Sequence, residues 1–284
     1  MRLLNCITAF IDIDRGSWSS YDRSNKKYID SFNLFYGTLQ TNVTIFVEPS
    51  SLPMIKRSYE EYKNTNGFKS TVNFQEFDRR DLYYFKILDK IEKIQASESM
   101  KRYSQRDSSG PPEYTKPAWV ATMLCKPLFL QLAKQRNLIP VNTTAVAWSD
   151  FGIAHGYHNQ PYIDTLTNKK LLEPNTDKAI IFNRRNFEPK PDPWAINGVH
   201  DGDDAFCPGG FYIVPVKLID EFNLKFHRIV QELLIDNELI DDDQTLLAIL
   251  SGLHRDISML VDSTRFKNNP SEGDYFPVFD FLKG

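Results

Sequence analysis

Three stretches carry residues that could do chemistry. The first, "AVAWSDFGIAH" (145–155), is a run of strand-forming residues that ends on Asp150. In a sheet whose strands share a direction, a carboxylate at the end of such a run lies at the carboxyl edge, where a metal-bound diphosphate can sit. The same Asp-Phe-Gly can equally close a turn through its own backbone hydrogen bonds. The second, "HDGDDAFCPGGFY" (200–212), sets Asp201, Asp203 and Asp204 ahead of Gly209 and Gly210. That pattern places carboxylates beside a backbone able to approach a ligand closely, or it is an acidic, solvated turn. It lacks the twelve-residue spacing and closing Glu of a calcium loop. The third, "LIDDDQTLLAIL" (239–250), has Asp241 and Gln244 at capping-box spacing before an apolar run. Capping accounts for those two and leaves Asp242 or Asp243 to face a cleft as a base or an acceptor ligand. Negative charge in a first helical turn is also favourable without any function.

No GxSxG, HExxH, Walker loop or GxGxxG occurs, which removes the common hydrolase, zinc-protease and nucleotide-fold fingerprints. His155 and His158 stand three apart, a spacing that can bind metal on a helix and equally suits surface or core positions.

The elements that must position these residues alternate. "LLNCITAFI" (3–11), "VTIFVEP" (43–49) and "STVNFQEF" (70–77) are expected as strands, and helices are expected at "KKYIDSFNLFYGTL", "LPMIKRSYEEYK" and 81–94 from apolar residues at helical spacing. Residues 96–113 are polar, hold Gly110, Pro111 and Pro112, and read as a mobile loop. A long helix from "YTKPAW" onward should break near Pro127. Strands follow at 145–149, 178–183, 209–215 and 257–262, with helices at 216–236 and 242–253. The alternation predicts an α/β fold: a mainly parallel central sheet flanked by helices, which binds ligands beyond the carboxyl ends of its strands. One domain is expected over 1–284, in two halves, 1–150 and 151–284.

Composition bounds the function classes. With 41% hydrophobic and 25% charged residues, the chain is able to bury a full core, and a net charge of -3 without a long basic run argues against a nucleic-acid partner. "KKYIDS" and "NRRNF" are short basic spots that suit solvated surface, a small anionic ligand or an anionic lipid, hence a possible peripheral contact with a membrane. The three cysteines, Cys6, Cys125 and Cys207, are odd in number and far apart, against a disulfide framework or zinc site and in keeping with a reducing cytoplasm. The apolar run at the start is too short and too soon acidic for a signal peptide or spanning helix.

Several segments together resemble the HtrL/YibB (WlaTC-like) family of bacterial proteins: "TAFIDIDRGSW" (8–18), "PEY" (112–114) followed by Lys126, "AWSDFG" (147–152), "GGFY" (209–212) and "DDDQTLL" (241–247). The family is similar in layout to GT-A type, Rossmann-like nucleotide-sugar glycosyltransferases. That resemblance implies a nucleotide pocket lined by Thr8, Ala9 and Phe10, with Arg15 on the diphosphate or base and Glu48 on the base or ribose. Lys126 would meet phosphate charge. Asp150 would stand in the place of a metal-binding DxD motif, with Trp148 at the position two before it in place of a second carboxylate. One carboxylate with phosphate oxygens and water can suffice for Mn2+ or Mg2+, and His254 is a conceivable second ligand. Gly209, Gly210 and Phe211 would face the acceptor, and Asp243, with Asp204, would be the catalytic carboxylates. The implied activity is transfer of a hexose from a nucleotide-diphosphate sugar, a UDP-sugar, to a cell-surface glycan or glycolipid such as lipopolysaccharide or capsule. The negative charge growing on the departing diphosphate would be met by metal, Lys126 and Arg15. In an inverting reaction Asp243 would take the acceptor's proton. A metal-dependent phosphohydrolase built on Asp201–Asp204 and a noncatalytic carbohydrate-binding protein are the alternatives.

Overall fold

A computed structural model describes residues 2–104, 112–154, 169–183, 200–201, 204–205 and 207–262. The first half alternates as expected: β1 (Asn5–Phe10), α1 (Asn25–Thr38), β2 (Asn42–Val47), α2 (Leu52–Asn66) and β3 (Thr71–Glu76). Ser24 caps α1 by accepting from the Lys27 amide, and α2 stops at Gly67, whose φ of 72° few other residues adopt without strain. Short helices follow: α3 (Tyr83–Lys86), α4 (Leu88–Gln95), α5 (Glu98–Ser104), α6 (Pro112–Thr115), α7 (Pro117–Leu124) and α8 (Lys126–Gln135). Then come β4 (Ala145–Ser149), β5 (Ala179–Asn183), a two-residue pair β6 (His200–Asp201) and β7 (Asp204–Ala205), β8 (Phe211–Pro215), α9 (Ile219–Arg228), α10 (Asp243–Leu253) and β9 (Ser258–Asp262).

Seven strands form one sheet in the order β3-β2-β1-β4-β8-β5-β9. All neighbours pair in parallel except β8, which is antiparallel to both β4 and β5. This is the α/β fold, a mainly parallel sheet flanked by helices, that the alternation along the sequence predicts. Alternation along each strand feeds two cores. Cys6, Phe10, Ala147, Ile180 and Ile213 pack with Phe32 and Phe35 of α1 and Ile55 of α2, while Ile7, Trp148, Ile181 and Tyr212 pack under α7, α8, α9 and α10. The chain leaves β1 toward β2 and β3 on one side, and β4 lies against β1 on the other. The crevice beyond the ends of β1 and β4 is therefore a topological switch point, where open α/β sheets bind ligands.

Four local expectations need correction. Residues 98–104 of the supposed loop are helix α5, because Met100 and Tyr103 are buried and the Ser97 hydroxyl accepts from the Met100 amide at its start; residues 112–115 are helix α6, and only 105–111 lie outside the described residues. The break expected near Pro127 is present, at Cys125, with Pro127 early in α8, where proline's missing N–H costs nothing. The helix expected at 81–94 is two pieces divided at Ile87, and that at 216–236 is α helix only to Arg228, followed by a π-helical stretch over Ile229–Leu234. Finally, the cap of α10 is Asp242, which accepts from the Gln244 and Thr245 amides, one residue later than a box on Asp241 and Gln244. Asp241 instead accepts from the buried Tyr103 hydroxyl at 2.8 Å.

Candidate functional site

A cleft of about 290 Å³ opens at the switch point. One wall is the exit of β1, Ala9 to Ile13; opposite it run Trp148 to Ile153, where β4 ends. Trp119, Thr122, Met123 and Lys126 line a third side, at the i, i+3, i+4, i+7 spacing of a single helical face carried across the Cys125 break. Arg15, Arg23, Asn25 and Tyr28 close the fourth, and Phe129, Gly210 and Gln244 complete the lining.

The floor is an ion cluster. Lys126 Nζ donates to Asp243 Oδ2 at 2.8 Å and to the Gly209 carbonyl at 3.2 Å, and lies 2.9 Å from Asp150 Oδ1. Lys126 and Asp243 are almost fully buried, with side chains 4% and 2% exposed, whereas Asp150 is 33% exposed and faces the cleft. Burial pulls the Lys126 ammonium down, but the two carboxylates together outweigh it and hold the lysine above its ordinary value. Burial, with Asp242 and Asp150 nearby, pushes the Asp243 carboxyl up to about 7 against the pull of Lys126. One cation thus faces two carboxylates, and the buried one keeps a proton toward neutral pH. Asp243 Oδ1 is buried and has no hydrogen-bond partner among the described residues.

Both glycines of the flanking motifs have steric reasons. A Cβ on Gly209 would lie 2.0 Å from Asp243 Oδ2, and a Cβ on Gly152 would lie 2.7 Å from Tyr28 Cδ1. Between them the Asp150 amide donates to the Gly210 carbonyl at 2.8 Å, and Phe151 stacks on Phe32 with centroids 4.7 Å apart. These contacts fix the turn that aims Asp150.

The rim is held more loosely. Arg15 donates to the Tyr28 hydroxyl at 2.9 Å and the Tyr21 carbonyl at 2.8 Å, and Arg23 lies over the Tyr28 ring at 5.1 Å. Among the described residues neither arginine has a carboxylate at ion-pair distance. Asp12, also on the rim, is occupied by the Asn25 amide at 2.6 Å and by its own turn.

Of the residues singled out from sequence, Ala9, Phe10, Arg15, Lys126, Trp148, Asp150 and Gly210 line the cleft, and Gly209 and Asp243 lie directly beneath it. Thr8, Glu48 and Phe211 are elsewhere: Thr8 is buried in the sheet, Glu48 is paired with Arg79 at 2.5 Å, and Phe211 packs in the core against Phe182. His254 ends α10, away from the cleft lining, where its carbonyl accepts from Ser258. The side chain of Asp204, in β7, and residues His155 and His158 lie outside the described residues. Sequence reasoning missed Arg23, assigned to no site, Gln244, absorbed into the capping pattern, and Trp119. The helical spacing from Trp119 to Lys126 was the available signal for the last. Its indole N–H is buried at the cleft with no partner among the described residues, a donor that a ligand oxygen would satisfy.

The described residues do not fit the divalent metal that the resemblance implies. Asp150 Oδ1 accepts from Trp148 Nε1 at 2.8 Å and also faces the lysine ammonium. Mg2+ and Mn2+ take several oxygen ligands, and among the described residues no three His, Cys, Asp or Glu side chains converge to hold such an ion. All three cysteines are free and buried. Among the described residues no helix is long and apolar enough to cross a membrane.

Comparison with known proteins gives one curated relative and two solved structures of note. Protein HtrL of Escherichia coli (strain K12) is 24% identical over 279 residues, covering 96% of this chain and 90% of that protein. Mouse xyloside xylosyltransferase 1, in its apo form, is 12% identical with a TM-score of 0.41, covering 99% of this chain and 93% of its own. The 4-diphosphocytidyl-2C-methyl-D-erythritol synthase of Anaerococcus prevotii is 11% identical with a TM-score of 0.36, covering 99% and 95%. Residues 2–282 match the family described as a bacterial protein of unknown function, HtrL_YibB, and the chain belongs to that family.

Proposed function

We propose that the protein is a glycosyltransferase that moves a sugar from a nucleoside-diphosphate sugar, a UDP-sugar in the first instance, to a hydroxyl of a cell-surface glycan or glycolipid. The observation that carries this reading is the meeting of Arg15 and Arg23, which have no carboxylate at ion-pair distance among the described residues, with aromatic walls and the partly exposed carboxylate of Asp150, in a cleft at the sheet's switch point. Guanidinium pairs suit a diphosphate, which they bind by paired N–H donors. Aromatic faces and the unpartnered Trp119 N–H suit a base or a sugar ring.

In the reaction the acceptor oxygen bonds to the anomeric carbon as the bond from that carbon to the diphosphate oxygen breaks. The bonding pair leaves with the diphosphate, and Arg15 and Arg23 meet the charge where it grows. The acceptor's proton passes to a carboxylate. Asp150 is placed for this in an inverting reaction, because it reaches the cleft, whereas Asp243, first assigned that role, lies under Lys126 and positions the ammonium. Residues 1–150 supply most of the donor wall, and Gly210 with Gln244 mark the acceptor side.

The test is a thermal-shift and calorimetry panel of UDP, GDP, CDP, ADP, free sugars and simple phosphate esters, since a ligand of the native state raises its melting temperature. A nucleoside diphosphate should bind, and Arg23→Gln should weaken it. Binding of free sugar alone would point to a noncatalytic lectin-like role, and turnover of phosphate esters to a hydrolase; either outcome removes the transferase reading.

A further inference from the structure

We infer that Lys126 is the fixed cation of this site and stands where a divalent metal would otherwise sit, so that the diphosphate is bound without metal. The nucleotide part of this inference rests on the donor reading above; the metal part does not. Lys126 enters in the first turn of α8, and its ammonium has three N–H donors for three acceptors: Asp243 Oδ2, Asp150 and the Gly209 carbonyl. A metal on Asp150 would have to displace a buried ammonium from one of its two carboxylates, or sit beside it against like charge. The other flank of Asp150 is closed as well, because Trp148 donates its indole N–H to Oδ1 from the position where a paired carboxylate would stand. With a donor on each flank, Asp150 anchors a cation already present and keeps only its cleft-facing acceptor capacity. Gly209 is part of the same device, since any side chain there would collide with the Asp243 oxygen that holds the lysine. With its three N–H groups engaged, Lys126 acts on the ligand through its charge, and the direct hydrogen bonds to the diphosphate come from Arg15 and Arg23.

The experiment has three arms. Mn2+ alone is titrated into wild type and Asp150→Asn, followed by the paramagnetic signal of the free ion; we expect no binding that Asp150→Asn abolishes. UDP affinity is then measured by calorimetry in chelator and in Mn2+, with values expected to agree within about threefold, a difference below 1 kcal/mol. Third, Lys126→Ala leaves Asp150 and Asp243 facing one another, and should gain Mn2+ binding and a higher melting temperature in Mn2+. Micromolar Mn2+ binding to wild type that is lost in Asp150→Asn, or UDP binding tightened about tenfold or more by Mn2+, would overturn the inference. If Lys126→Ala does not fold, the wild-type arms decide. If UDP and the other diphosphates bind under neither condition, the donor reading fails while the Mn2+ titration still judges the role of Lys126.

Discussion

The floor and the rim of the cleft are both charged and are built in opposite ways. In the floor, Lys126, Asp150 and Asp243 are tied to each other, to the Gly209 carbonyl and to Trp148, with two of the three side chains almost fully buried. On the rim, Arg15 and Arg23 touch a hydroxyl, a carbonyl and a ring, and keep donor capacity for something else. Charge in the floor is tied to the fold, because a buried ion that loses its partner is costly. Charge on the rim has no carboxylate at ion-pair distance among the described residues and is available for a ligand. Alterations in the two regions should therefore separate stability from binding.

The largest effect belongs to Lys126→Met, which strands the floor carboxylates and should cost about 3–5 kcal/mol in urea unfolding. Adding Asp243→Asn should restore much of that loss, because a neutral amide needs no cation. Additive losses in the double variant would mean the pair is not coupled. Gly209→Ala drives a methyl into the Asp243 oxygen and should cost about 1–3 kcal/mol, seen as a lower denaturation midpoint with unchanged slope. An unaltered midpoint would show that the floor has room to yield.

On the rim the pattern reverses. Arg15→Gln should change stability by no more than about 0.5 kcal/mol yet weaken nucleoside diphosphate binding about tenfold, or about 1.4 kcal/mol. That loss should shrink as salt is raised; full affinity in Arg15→Gln would make the arginine a surface charge without a ligand.

A pH dependence of stability tests the floor from a second side. Because Asp243 is raised to about 7 from 3.8, the folded protein keeps a proton that the unfolded chain releases. Its contribution is fully present below about pH 4 and lost as pH rises through about 7. The melting temperature of wild type should accordingly fall relative to Asp243→Asn across that window. A constant difference between the two would contradict it.

Much of the fold was legible from periodicity. All seven strands of the main sheet were anticipated within a few residues, since buried strands declare themselves as short runs of Val, Ile, Phe and Ala. Short helices were harder. Residues 98–104 look polar and aperiodic, and they are helical because Met100 and Tyr103 find a core whose other side is supplied by distant segments, with Tyr103 bonded to Asp241. The cap of α10 moved from Asp241 to Asp242 for the same reason: three adjacent aspartates are equivalent by type, and the partner of Asp241 is supplied from 138 residues away.

What the sequence by itself determined is the strand and helix alternation, the strand end at Asp150, the family resemblance and the motifs that meet at the cleft. Local pattern and residue type suffice for those, because strand period, breakers and caps act over a few residues. What only tertiary structure decided is pairing: that Lys126 reaches across to Asp150 and Asp243, that Glu48 belongs to Arg79 and not to a ligand, and that Trp119 and Arg23 share the cleft. The energy of a charge depends on its burial and on the atoms within a few ångströms, and segments far apart in the chain supply those atoms.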